Sequence, residues 1–208
     1  AFLAGHSLGE YSAHVAAGTL AFGDAVRTVS NRGRYMQEAV PVGVGAMAAV
    51  MGLDEETLAQ ACTDAAEGEV VSPANLNAPG QIVIAGHSDA VQRAGARAKA
   101  LGARRVVALA VSAPFHCALM QPAEKRLVPE LRSLVVSDPS IPVVANVDAE
   151  PKRDAASAID ALVSQVTAPV RWEQVVRRLA SEGVDTYLEV GSGSVLSGLI
   201  RRIDRSAR

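Results

Sequence analysis

Short apolar runs alternate along the chain with longer stretches in which apolar positions recur every three or four residues. The short runs are typical of strands, and the longer spacing is typical of amphipathic helices. After the apolar start at Ala1–Ala4, the predicted strands are Ala46–Met51, Val70–Asn75, Gln81–Ala85, Arg105–Val111, Pro142–Asn146 and Thr186–Val190. The predicted helices are Leu8–Leu20, Asp24–Val40, Asp54–Glu67, Ser88–Leu101, His116–Leu134, Ala155–Gln165, Trp172–Glu182 and Val195–Arg202.

This order of elements predicts an α/β protein in two parts. Residues 44–111 have the order β-α-β-β-α-β, which is typical of a ferredoxin-like fold and indicates a small inserted subdomain. Residues 1–43 and 112–208 alternate strands with helices, so we expect a large subdomain whose sheet is mainly parallel and has helices on both faces.

Composition narrows the function classes. The 208 residues are 49% hydrophobic and carry a net charge of −2 with both signs interspersed, which favours neither a nucleic-acid partner nor a membrane surface. The two cysteines, Cys62 and Cys117, are far apart and fit neither a disulfide framework nor a metal site, so we expect a reducing, cytoplasmic setting. No apolar stretch reaches the roughly 18 residues that a membrane-spanning helix needs.

A serine lies between two glycines where the first apolar run meets the first predicted helix, in Gly5–Gly9. This arrangement predicts a nucleophile elbow, with Ser7 raised above the sheet and the Leu8 amide acting as an oxyanion donor. The same pattern also occurs where glycines make a turn and serine caps a helix. The apolar strand before it and the Ala-rich run after it favour the elbow.

A serine nucleophile needs a base, and the chain has four histidines. His6 adjoins the nucleophile and should point away from it, His14 lies two turns into the helix, and His87 begins a helix of the small subdomain. His116 follows a strand on re-entry into the large subdomain, and sites of α/β proteins assemble at such junctions. We therefore predict that His116 is the base.

Several motifs together resemble one family, the malonyl-CoA:acyl carrier protein transacylases of bacterial fatty-acid synthesis. The resemblance runs through the whole chain in order, and the motifs that carry it are Gly5–Tyr11, Arg32–Gln37, Asn75–Gln81, Ser112–His116 and Glu189–Leu196. It implies an α/β-hydrolase-like large subdomain, a ferredoxin-like small one, and ping-pong transfer of a malonyl group from malonyl-CoA to the phosphopantetheine thiol of acyl carrier protein. It implies no metal or organic cofactor.

The resemblance also implies roles for individual residues. Ser7 would carry the malonyl group, His116 would take its proton, and the main-chain carbonyl of Gln165 would orient His116. The family's second oxyanion donor is a glutamine near its N-terminus and has no counterpart here. Because Ala1 already lies inside a strand, we expect that an N-terminal portion of the domain is missing.

Four further residues are predicted to bind substrate. Arg32 would hold the free carboxylate of malonate with two charge-assisted hydrogen bonds, although an arginine on such a helix is more commonly solvated. Phe115 would fill the space that an α-methyl group needs, or would simply pack. Asn75 and Asn77, on a predicted turn of the small subdomain, would contact the CoA or pantetheine arm, or would only shape the turn.

Two other kinds of function stay open at this point. A serine esterase or thioesterase would use the same acyl-enzyme, and an acyltransferase domain of a polyketide synthase would share the motifs. A non-catalytic docking domain could retain the fold without an activated serine. The basic cluster of Arg93, Arg97, Lys99, Arg104 and Arg105 is a candidate surface for an acidic carrier protein, with a solvated helix face as the alternative.

Overall fold

The computed structural model describes residues 1–208 and has the predicted mixed α/β architecture. The strands are β1 (Leu3–Ala4), β2 (Gly45–Met51), β3 (Val71–Ala78), β4 (Gln81–His87), β5 (Arg105–Ala108), β6 (Val143–Val144) and β7 (Pro151–Lys152). The α-helices are α1 (Leu8–Ala16), α2 (Phe22–Glu38), α3 (Glu55–Ala65), α4 (Ser88–Ala100), α5 (Gln121–Ser133), α6 (Ala155–Ser164), α7 (Trp172–Ser181) and α8 (Val195–Ile203). None of these helices is both long and apolar enough to cross a bilayer.

The middle of the chain forms a four-stranded antiparallel sheet in the order β3-β4-β2-β5. With α3 after β2 and α4 after β4, this is the ferredoxin-like topology that the order of elements predicts. Leu58 from α3, Ala94 from α4 and Ile84 from β4 are fully buried in the core between the helices and the sheet. The limits of this subdomain at residues 44 and 111 stay a prediction.

The rest of the chain contains a three-stranded sheet in the order β1-β6-β7. β1 and β6 run parallel, with Leu3 opposite Val143, whereas β7 is antiparallel to β6. A core that includes Tyr11, Met36 and Leu162 joins α1, α2, α5 and α6. The parallel pair fixes the position of the first strand, whose carboxyl end leads through Ser7 directly into α1.

Several predicted elements differ from the structure in their limits, and two of them differ markedly. The predicted strand Thr186–Val190 is irregular, because no neighbouring strand pairs with it, and Leu188 and Val190 are each 87% exposed. The predicted helix at His116–Leu134 begins only at Gln121, after a 3₁₀ turn at Ala118–Met120. His116 therefore lies in the connection before the helix, where its backbone takes a non-helical conformation with φ 58°.

Candidate active site

The turn between β1 and α1 holds Ser7 in an unusual backbone conformation, with φ 52° and ψ −108°. Such angles are uncommon for any residue except glycine and mark a strained turn. A Cβ on Gly5 would lie 2.0 Å from the backbone of Gly9, so only glycine allows β1 and α1 to approach this closely. A Cβ on Gly9 itself would meet nothing within 4 Å, so close packing requires glycine only at residue 5.

The Ser7 hydroxyl oxygen lies 2.7 Å from Nε2 of His116, which lies in the connection before α5. His116 Nδ1 lies 2.9 Å from the main-chain oxygen of Gln165 and donates its hydrogen to it. This bond leaves Nε2 unprotonated and able to accept the Ser7 proton. Burial and the positive charge of Arg32 lower the pKa of His116 to about 3, so the imidazole is neutral near pH 7.

Arg32 extends from α2 to the same point and is only 6% exposed. Its Nη2 donates to the Ser7 hydroxyl oxygen at 3.0 Å and to the side-chain oxygen of Gln165 at 3.0 Å. Its guanidinium carbon lies 5.6 Å from the centre of the Tyr11 ring, and it forms no salt bridge with any carboxylate. Arg34 is exposed and hydrogen-bonds Asn31, so only one of these two arginines faces the nucleophile.

His6 connects the elbow to the small subdomain instead of facing Ser7. Its Nε2 lies 2.9 Å from Oδ1 of Asn77, and its ring centre lies 5.6 Å from that of Trp172. The turn predicted to carry Asn75 and Asn77 is shorter than expected, because both residues lie within β3. A register shift between Leu76 and Ala78 leaves Asn77 without a partner on β4, which lets its side chain reach the elbow.

A family model described as an acyl transferase domain matches residues 1–207. The chain belongs to this acyl transferase family. It is 56% identical over 203 residues to a malonyl CoA-acyl carrier protein transacylase of Salmonella typhimurium, covering 98% of this chain and 66% of that relative. The chain therefore spans slightly less than two thirds of the relative's length.

Solved structures agree with this assignment. An acyl carrier protein S-malonyltransferase of Vibrio cholerae is 51% identical with a TM-score of 0.98, covering 100% of this chain and 68% of that one. A malonyl-transacylase solved in complex with a type II polyketide-synthase acyl-carrier protein is 50% identical with a TM-score of 0.97, covering 99% and 67%. At these identities the predicted fold class is confirmed.

Three polar groups that the local sequence did not reveal also lie at the candidate site. Asn146, at the carboxyl end of β6, accepts the Ser7 amide at 2.6 Å and donates to the Gly5 carbonyl at 2.8 Å. Glu10 is fully buried beneath the elbow, and the side chain of Gln165 lies between it and Arg32. The signal for Asn146 was its place at the end of a strand parallel to β1, where sites of α/β folds assemble.

Leu8 and Phe115 flank the reacting groups of this acyl transferase domain. Leu8 is the first residue of α1, so its amide has no partner within the helix, and the residue as a whole is 49% exposed. Phe115 is half-buried and packs against the cores on both sides of the junction before His116. These contacts agree with packing as one of its two predicted roles.

Proposed function

We propose that this acyl transferase domain moves a malonyl group from malonyl-CoA to the phosphopantetheine thiol of acyl carrier protein in fatty-acid synthesis. The observation that carries the proposal is Arg32, a buried guanidinium at the nucleophile that makes no direct ion pair with a carboxylate of the protein. A buried cation without a direct ion pair is costly, and a carboxylate on the substrate would relieve that cost. Malonyl thioesters carry such a carboxylate, and the names of the relatives describe this transfer.

In the first half-reaction, the Ser7 oxygen attacks the thioester carbonyl while its proton moves to Nε2 of His116. The Leu8 amide, at the positive end of α1, would stabilise the resulting oxyanion. The C–S bond then breaks, and the departing CoA sulfur takes the proton from His116. The product of this step is a malonyl ester of Ser7.

In the second half-reaction, the phosphopantetheine thiol gives its proton to His116 and its sulfur attacks the ester. The Ser7 oxygen leaves and takes the proton back, which regenerates the free serine. Gln165 keeps His116 in one tautomer throughout, because its carbonyl accepts only from Nδ1–H. These steps need no metal or organic cofactor, and malonyl-CoA is a substrate.

The proposal extends to the pantetheine arm, the cellular setting and the carrier-protein surface. Asn77 would contact the CoA or pantetheine arm from the small subdomain, together with Asn75, which is 9% exposed on the same strand. The two cysteines are free and buried, which suits a reducing, cytoplasmic setting. The basic cluster is a poorer docking surface than expected, because Arg93 and Arg97 pair with Glu69 and Asp64.

The comparisons do not favour the esterase alternative, since the named relatives transfer acyl groups to a carrier protein. A buried clamp for a carboxylate also has no use in a hydrolase of neutral esters. One similar structure contains a polyketide-synthase carrier, so carrier proteins of both pathways belong in an assay of the second half-reaction.

Intact-mass spectrometry after incubation with malonyl-CoA tests the proposal. We expect one malonyl adduct on the wild-type protein and none on Ser7→Ala. Ser12→Ala is the matched control, because Ser12 is exposed on the same helix. An unmodified wild-type protein, or an adduct that persists in Ser7→Ala, would overturn the proposal.

A further inference from the structure

The candidate active site rests on a buried carboxyl group that has no part in the proton transfers. Glu10 is on the first turn of α1 and is 0% exposed. Its Oε2 accepts from Nε2 of Gln165 at 2.8 Å and from the main-chain amide of Asn146 at 2.9 Å. Its Oε1 has no hydrogen-bond partner.

The partners of the Gln165 side chain allow only one orientation of its amide. On one side, Glu10 Oε2 and the main-chain oxygen of Ser7 are acceptors, at 2.8 and 3.0 Å from Nε2. On the other side, Arg32 can only donate, so Oε1 of Gln165 must face it. A flipped amide would leave two buried acceptors without donors and would place its NH₂ group against the guanidinium.

The same donor and acceptor roles also fix the orientation of the Ser7 hydroxyl group. Because Nη2 of Arg32 is held by Gln165 and donates to the Ser7 oxygen, the Ser7 hydroxyl must direct its own hydrogen to His116. A single relay of acceptors and donors therefore runs from Glu10 through Gln165 and Arg32 to Ser7. Glu10 is the acceptor at its origin.

We propose that Glu10 is a positioning residue that fixes Arg32 at Ser7 through the side chain of Gln165, and so sets the preference for substrates that carry a carboxylate. This inference rests on the proposed malonyl transfer. It does not depend on the charge of Glu10, because Oε2 accepts hydrogen bonds in both the ionised and the protonated carboxyl group. Burial raises the pKa of Glu10 to about 7, so both forms occur near neutral pH.

The test compares rates of Ser7 acylation by malonyl-CoA and acetyl-CoA, measured by quenched-flow intact mass. Glu10→Ala should lower the malonyl-to-acetyl ratio about tenfold, which corresponds to the loss of one hydrogen bond to a charged group. Glu10→Gln keeps an acceptor oxygen for Gln165 and Asn146, and should retain most of the ratio. If Glu10→Ala does not fold, Glu10→Asp retracts the carboxyl group from Gln165 and should lower the ratio in the same way.

A double-mutant cycle with Gln165→Met tests the route of the effect. This substitution keeps the main-chain carbonyl that binds His116 and removes the side-chain amide, with its bonds to Glu10, Arg32 and the Ser7 main-chain oxygen. Glu10→Ala should change the ratio little in the Gln165→Met background, since the relay is already broken.

Three results would overturn the inference. One is an equal loss of both acylation rates in Glu10→Ala, which would indicate only structural support of the elbow. Another is an undiminished effect of Glu10→Ala in the Gln165→Met background. A wild-type protein that malonyl-CoA does not acylate would overturn the proposed function as well, which distinguishes that failure from the other two.

Discussion

The guanidinium of Arg32 lies 3.0 Å from the hydroxyl oxygen of Ser7, and no carboxylate of the protein pairs with it. Desolvation by the surrounding core lowers the pKa of Arg32, but an arginine stays protonated at any pH in which the protein works. A fixed positive charge therefore lies beside the reacting oxygen. It suits a substrate whose acyl group ends in a negative charge.

Arg32→Ala should separate the two acyl donors. Loss of charge-assisted hydrogen bonds worth about 1.5–3 kcal/mol should slow acylation by malonyl-CoA by roughly 10- to 150-fold, while acylation by acetyl-CoA is retained or improved. Arg34→Ala is the control, because Arg34 is exposed on the same helix and should leave both rates unchanged. Equal losses for both donors in Arg32→Ala would exclude the clamp.

Asn146→Ala should weaken the elbow itself. It removes the acceptor of the partly buried Ser7 amide and the donor to the buried Gly5 carbonyl. We expect a loss of about 1–3 kcal/mol in the free energy of unfolding, measured by urea titration, and slower acylation by both donors. Gln60→Ala, which removes only an exposed side-chain bond to Asp64, is the comparison. Unchanged unfolding of Asn146→Ala would contradict this account.

Gly5→Ala should lower the stability of the protein and Gly9→Ala should raise it, although the two residues lie in the same short motif. The new Cβ at residue 5 would collide with backbone atoms at 2.0 Å, so we expect a loss of at least about 1–3 kcal/mol. At residue 9 the Cβ meets open space inside α1, where alanine is favoured over glycine by up to about 1 kcal/mol. Thermal unfolding of the two variants measures this difference, and equal melting temperatures would refute it.

His14→Leu should make the protein more stable, most of all in acid. His14 is 0% exposed, neither ring nitrogen has a partner, and burial lowers its pKa to about 4. Between about pH 6.5 and pH 4, His14 is protonated in the unfolded chain but stays neutral in the folded chain. His14 therefore lowers the free energy of unfolding as the pH falls through this range. The linkage amounts to about 2 kcal/mol at pH 5.

The measurement for His14 is the difference in unfolding free energy between wild type and His14→Leu at pH 7 and pH 5. Taking the difference cancels the titrations of Glu10 and His116, whose raised and lowered pKa values act in opposite directions. We expect the gain to be larger at pH 5. A gain that is the same at both values would show that His14 titrates alike in the folded and unfolded chains.

Local patterns predicted the elements that pack against a partner within the chain. The amphipathic repeat of α2 buries one face, and the apolar run of β2 packs against a core on each face of the sheet. Both elements lie close to their predicted limits. The segment at Thr186–Val190 has an equally strand-like sequence but lacks a paired neighbour. Hydrogen bonding between strands is a property of two segments, so one segment's sequence could not reveal its absence.

The candidate site also contains residues that the local sequence could identify and residues that it could not. Ser7, with its glycines, and His116, at a strand-to-helix junction, have recognisable local contexts. Glu10, the side chain of Gln165 and Arg32 are linked to one another across three separate helices or helix ends. Nothing within a short stretch of sequence distinguishes a buried glutamate below an elbow from a solvated one on a helix. Their part in the site became visible only in the folded arrangement.

Ser7 and His116 both have a strained backbone conformation, with φ 52° and φ 58° respectively. Glycine would relax either position, because it adopts positive φ without a steric penalty. Ser7→Gly should therefore give an inactive protein that resists heat better than the active one. Serine at residue 7 therefore lowers the stability of the fold and provides a reactive hydroxyl group in return, a balance that is common at active sites.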